Sequence, residues 1–255
     1  MAYIKDKDLE FLGKLKSEDL KLLFEVLVYD SKNKKRFSES LLGSQEYERY
    51  QEDYAKYWQK IAEELQRFGG NSFANYLRKG GIEYRTIITK VCDKMKIACY
   101  QNAPIEEIER AMLGGVISQG CEKMSDSEIK EMCYKISKKH VFDVDNLDKQ
   151  ALIANMINIF RNPKSKDMDF ILKLTSFITA DVIKVVGAGV GAEFLSALAP
   201  NALRGPAGWL IGVGVVAKLV SDPAFRVTIP ACFVVATLRL KASAKKSLFS
   251  LPFFK

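Results

Sequence analysis

Arg78, Lys79 and Arg85 lie in and just after FGGNSFANYLRKGG (68–81), a stretch with a glycine pair at each end. Backbone amides freed by glycine, set beside guanidinium and ammonium groups, can cradle a phosphate. The same glycines can instead stop and restart helices. Gly69 would halt one in a left-handed turn, Asn71 or Ser72 would cap a two-turn helix, and Gly80 would end it. Spacing favours this punctuation, with Phe73, Tyr76 and Leu77 turned inward. The phosphate reading narrows to the three cations.

The other candidate groups do not assemble into sites. GAGVG (187–191) looks like a dinucleotide turn, but the third glycine of G-x-G-x-x-G would fall at Ala192, and no βαβ unit surrounds it. His140, Asp143, Asp145, Asn146 and Asp148 offer ion ligands, yet Leu147 stands at a ligand position and no glycine follows. Capping of the next helix by Asp145 or Asn146 is the expected use. The five cysteines (Cys92, Cys99, Cys121, Cys133, Cys232) are odd in number and lack a C-x-x-C, and there is one histidine. No metal or other cofactor is expected. The opening MAYIKDKDLEF has no secretory pattern, so reduced thiols and a cytoplasmic location are expected. With no catalytic constellation, the chain reads as a non-enzyme.

Helices must position whatever does act. With 255 residues, 48% of them apolar, the chain can fill a real core, and seven prolines leave room for long helices. DKDLEFLGKL and SEDLKLLFEVLV predict two short helices, with Ser17 capping the second. EYERYQEDYAKYWQKIAEELQRF (46–68) predicts one long helix whose stripe of Tyr50, Tyr54, Tyr57, Trp58, Ile61, Leu65 and Phe68 is core rather than a stacking surface for nucleobases. Further helices are expected at 83–97, at 104–119 with Pro104 in the first turn, and at 125–137 behind a Ser125/Glu128 capping box. Others follow at 147–161 and from 167 onward. No stretch alternates with strand period. The expected fold is all-α, a multi-helix bundle in three segments: a small N-terminal helical module (1–45), a central helical domain (46–165) and a glycine-rich, apolar and basic helical region (166–255).

Charge is segregated. The chain carries +8 overall, of which Val185 to Lys255 holds +6 and the preceding 184 residues only +2. An apolar and basic segment suits an anionic lipid surface or an acidic partner, and equally an ordinary core segment with surface lysines. The longest uncharged runs there are 13 residues (Gly205–Ala217) and 12 residues (Val227–Leu238), short of the roughly 20 that a spanning helix needs. A buried hairpin, or one that dips into a bilayer, is expected instead.

FGGNSFANYLRKGGIEYRTIITKVCDKMKI (68–97) and GPAGWLIGVGVVAKLVSDPAFRVTIPACFVVATLR (205–239) together resemble the YaaW-like family of bacterial proteins, as does the opening DKDLEFLGKLKSEDL (6–20). That family is grouped with the ubiquinol–cytochrome c chaperone domain. The resemblance implies a helical, non-catalytic, protein-binding module, and carries over no catalytic residue. The expected function is therefore binding or assembly, chaperone-like, with peripheral attachment to the inner face of the cytoplasmic membrane. The alternative is a phosphate- or nucleotide-binding protein using 68–81. Candidate interaction residues are Arg78, Lys79, Arg85, Trp209, Lys218, Arg226, Arg239, Lys241, Lys245 and Lys246. A protein partner and an anionic membrane surface are expected, and nucleic acid is not.

Overall fold

Local signals set several helix ends. Ser125 and Glu128 cap each other reciprocally, with Ser125 N–H donating to Glu128 Oε2 at 2.7 Å and Glu128 N–H to Ser125 Oγ at 3.3 Å. Asp148, rather than Asp145 or Asn146, caps the following helix by accepting from Ala151 N–H at 2.8 Å. The computed structural model describes residues 3–30, 32–70, 81–136, 143–186 and 224–249. Within them lie α1 (Ser17–Val28), α2 (Gln45–Tyr50), α3 (Trp58–Gly69), α4 (Tyr84–Lys94), α5 (Ile105–Cys121), α6 (Asp126–Ile136), α7 (Lys149–Arg161), α8 (Met168–Val186) and α9 (Phe225–Phe249). The fold is all-α. Extended pairing among the described residues is limited to one isolated antiparallel bridge, Tyr29 with Lys35.

The long helix expected over 46–68 is broken. Gln51 adopts φ 48° after α2, and a 3-10 turn (Tyr54–Tyr57) precedes α3. Tertiary contacts override helix propensity here. Tyr54 and Tyr57 pack their rings on Phe24 of α1, at 4.8 and 6.4 Å between centroids, while Tyr57 Oη donates to Gln51 O at 2.6 Å. Ser17 does not cap α1. Its hydroxyl donates to Asp53 Oδ1 at 2.6 Å and accepts from Ala55 N–H at 3.0 Å, so it holds the break in place. The first expected N-terminal helix is a 3-10 turn, Glu10–Lys14.

Gly69 is likewise no left-handed cap, since α3 runs through it and the next residue is extended. A Cβ there would sit 2.3 Å from Ile87 Cγ1, and one on Gly81 would sit 2.5 Å from the backbone carbon of Gln66. Both glycines permit close approach of chain segments. The helix expected over 72–79 lies outside the described residues.

Helix α9 is the hub. It packs most extensively on α8, then on α1 and α4, and also touches α5 and α3, while α5 pairs with α7. Every residue from Val227 to Arg239 is buried. A fully buried Val, Leu, Ile or Phe side chain is worth about 1.5–3 kcal/mol, so this one helix anchors much of the core. A buried hydroxyl pair, Thr179 with Thr237 at 2.8 Å, fixes α8 against α9. The stretch Phe225–Ala244 has the length and composition to cross a membrane, yet 72% of it lies inside the bundle. One buried cluster runs from Leu9 to Leu238, so all three segments expected from the sequence contribute to it.

Candidate functional site

Two features concentrate polar chemistry. The first is a buried knot where the N-terminal segment meets α3, α4, α5 and α9, with a cavity of about 100 Å³ beside Glu109 and Arg239. Glu109 sits on the apolar face of α5 among Ile105, Ile108, Met112 and Leu113, all buried. It accepts from Tyr84 Oη at 3.0 Å and from Arg239 Nε at 2.8 Å. Arg239 also donates to the carbonyl of Asp8 and lies 4.1 Å above the Phe11 ring. Asp6 Oδ2 accepts from Tyr84 N–H at 2.7 Å, and Asp6 Oδ1 from Asp8 N–H at 2.9 Å. Gln66 completes the attachment, donating to Ile4 O at 2.9 Å and accepting from Ile4 N–H at 3.1 Å.

Burial pushes the Glu109 carboxyl up to about 7, against the opposing pull of Arg239 and Tyr84. Burial, reinforced by the Glu109 charge, raises the Tyr84 phenol well above its ordinary value. Burial also raises the thiols of Cys121 and Cys133 to about 12, and that of Cys232 well above the usual range. Glu109 and Tyr84 are buried and hydrogen-bonded to each other, and the three thiols are buried.

The second feature is an open cleft of about 700 Å³ between the 96–103 loop, α5 and α7. The loop is tied down at both ends. Gln119 Nε2 donates to Met95 O at 3.1 Å, and Arg85 donates to Gln101 O at 2.9 Å and to the Ala103 carbonyl. The turn out of α4 is a Schellman motif: Ile97 N–H donates to Cys92 O at 2.9 Å, with Lys96 at the left-handed position, φ 56°. Ile97 then presses onto α5 at Gly115, where a Cβ would lie 2.6 Å from Ile97 Cγ2. Lys96, Arg110 and Arg161 line the cleft together with a single carboxylate, Glu107. Tyr100 stands at the rim, 86% exposed. Cys99, half-buried beside it, has its thiol lowered by a hydrogen bond from Cys92, while the same bond and burial raise Cys92.

The residues expected from sequence do not converge. Arg85 is not free for phosphate, because besides the two loop carbonyls it pairs with Asp8 at 3.3 Å. Arg239 is not a surface cation, being 8% exposed and paired with Glu109. Arg226 is exposed at the start of α9, and Lys241 is half-buried near its end. Lys245 and Lys246 fall in the last turns of α9, with side chains outside the described residues. Arg78, Lys79, Trp209 and Lys218 lie outside them too, as do His140 and the 187–191 glycines. Among the described residues no three His, Cys, Asp or Glu side chains gather as a metal site.

Sequence reasoning missed the cleft because its cations are 65 positions apart, at Lys96 and Arg161. The adjacent Gly114 and Gly115 inside a helical pattern were the one local signal. The knot was also legible in part, since Glu109 interrupts an apolar helix face.

Residues 3–37 match a family model described as a domain of unknown function, DUF3944. A UPF0174 protein of Helicobacter pylori strain J99 is 42% identical over 252 residues, covering 97% of this chain and 98% of that one. A second, from Helicobacter pylori strain 26695, is 37% identical over 208 residues, 82% of this chain and all of that one. The UPF0174 protein YaaW of Escherichia coli strain K12 is 31% identical over 249 residues, 95% of this chain and 97% of its own. No solved structure matches.

Proposed function

The chain belongs to the UPF0174 family, and from that premise we propose that it is a non-catalytic, chaperone-like binding protein that holds a protein partner during assembly. One observation carries this reading. The strongly perturbed groups, Glu109, Tyr84 and the buried thiols, lie in the core, with only a small cavity of about 100 Å³ beside Glu109, whereas the cleft face offers cations and an exposed aromatic ring. Such a surface supports recognition, because Tyr and Arg are the side chains that anchor interfaces most effectively. The relation to the ubiquinol–cytochrome c chaperone domain belongs to this proposal.

A photo-crosslinking residue placed at Tyr100 in the full chain, in living cells, tests the reading. One discrete adduct at position 100, absent when the probe sits at exposed Asp126, is the expected result. No adduct, or the same diffuse labelling at both positions, overturns it.

As part of the same proposal, the protein works in the cytoplasm at the inner face of the membrane. Support comes from the +6 charge and apolar composition of residues 185–255. Since α9 faces inward, membrane contact is assigned to the sequence between α8 and α9 and to the basic tail. Full-length protein should sediment with phosphatidylglycerol vesicles at low salt and release at high salt. Failure to sediment at low salt removes the membrane part alone.

A further inference from the structure

We propose that the cleft beneath the 96–103 loop binds a phosphate ester, with Lys96, Arg110 and Arg161 on the phosphate and Tyr100 against the organic group. The inference rests on the reading that this face is the binding surface, and it names the ligand.

Within their helices Lys135 pairs with Glu131 and Lys173 with Asp169, each at 2.7 Å. Lys96, Arg110 and Arg161 make no ion pair among the described residues, although Glu107 lines the same cleft. Three cations less one carboxylate leave a surplus near +2. A phosphate monoester carries roughly −1.5 to −2 at neutral pH and presents three strong acceptor oxygens. A single carboxylate, with one charge, would neutralise only half of that surplus. Two guanidinium groups also suit the bidentate recognition of phosphate.

The backbone supplies independent support. Glycine is the poorest helix former after proline. Gly115 has a packing reason, the close approach of Ile97, but a Cβ on Gly114 would meet nothing within 4 Å. Gly114 lines the cleft, so its missing side chain leaves the floor open. Lys96 takes a left-handed conformation that glycine adopts without strain, and it stands at the cleft wall. Gln119, whose amide nitrogen is bound to Met95 O, has its Oε1 buried without a hydrogen-bond partner in the same wall. The volume of about 700 Å³ falls within the range of small-molecule sites, about 300–1,000 Å³.

A phosphate ester reaches this cleft either as a soluble metabolite or as a lipid headgroup. Titration calorimetry of the full chain with inorganic phosphate, nucleoside monophosphates and sugar phosphates probes the first source. Sedimentation with phosphatidic acid vesicles, against phosphatidylcholine, probes the second. Alkylation of Cys99, which lines the cleft, gives a separate reading of occupancy.

The expected result is binding of at least one phosphate ester, with Cys99 alkylation slowed. Affinity should fall tenfold or more in R110Q/R161Q. Gly114→Leu should abolish binding while leaving helix content and melting temperature no lower than in the parent, because its new side chain enters the cleft and not the core. Response to phosphatidic acid alone, lost in both variants, assigns the lipid source. Absence of binding in both arms, binding that survives both variants, or preference for matched carboxylates overturns the proposal. If phosphates fail while the adduct at Tyr100 persists, the ligand assignment falls and the binding role stands.

Discussion

Arg239→Met isolates the electrostatics of the buried knot. Methionine replaces the guanidinium stem with an apolar chain, so packing loss is small. What disappears is the donor to the Asp8 carbonyl, the contact over Phe11 at 4.1 Å and the partner of Glu109 at 2.8 Å. An orphaned buried acceptor costs about 1–3 kcal/mol, and a desolvated cation–π contact about 1–2 kcal/mol. At pH 7 the variant should lose about 3 kcal/mol. For a chain of this size that lowers the melting temperature by about 6–12 °C.

The pH dependence is the sharper test. Burial holds the Glu109 carboxyl up at about 7, above its ordinary 4.5, so the folded state binds this proton more tightly than the unfolded chain. Stability from that proton is fully present below 4.5 and is lost as pH rises to 7, after which the wild-type curve levels. Arg239 lowers the carboxyl more than any other neighbour. Without it the carboxyl rises further and stability keeps falling above pH 7, at about 1.4 kcal/mol per pH unit. Between pH 7 and 8.5 the gap between wild type and R239M should widen by about 2 kcal/mol by the same linkage. Urea denaturation at both pH values reads this directly. Glu109→Gln keeps an acceptor for Tyr84 but cannot ionise, so in that background the widening must vanish. A gap that does not change with pH, or that widens equally in the E109Q background, refutes the assignment of the knot's energy to the Glu109–Arg239 pair.

Gly114→Ala should raise stability by about 0.5–1 kcal/mol, because no neighbour lies within 4 Å of the added methyl. Gly115→Ala should lower it by about 1–3 kcal/mol, since the methyl would come 2.6 Å from Ile97 Cγ2; thermal melts of the pair must move in opposite directions. Asp6→Ala strips acceptors from the backbone amides of Tyr84 and Asp8 and should cost about 2–4 kcal/mol. Its signature is early proteolysis before residue 17, ahead of global unfolding. Ser125→Ala removes the capping box of α6 and should cost about 1 kcal/mol, with faster hydrogen exchange confined to the first turn of that helix.

Helix positions were largely legible because their ends carry local chemistry: the Ser125/Glu128 box, Pro104 before α5, and the change of pattern into α8. The break at 51–57 was not, because its cause is tertiary. Phe24 and Ser17 reach across from α1 to take Tyr54, Tyr57 and Asp53. The same limit applies to Arg239. Its place in a basic stretch suggested a surface charge, and only the approach of Glu109, 130 positions away, explains its burial. Glycines mislead for a related reason. Gly69 and Gly81 read as helix punctuation, while their packing against Ile87 and Gln66 becomes visible only when α3 and α4 meet.

The bond between Arg239 and the Asp8 carbonyl joins positions 231 apart. During synthesis the N-terminal segment, which Gln66 and Tyr84 can hold earlier, therefore waits for this last tie until α9 has been translated. At about 5–20 residues per second this interval is about 12–46 s. For most of that time the apolar face of α1 lacks the cover that α9 later gives, and α4 and then α8 wait for correspondingly shorter intervals. A chain that stopped before α9 would lack the helix on which α8, α1 and α4 pack.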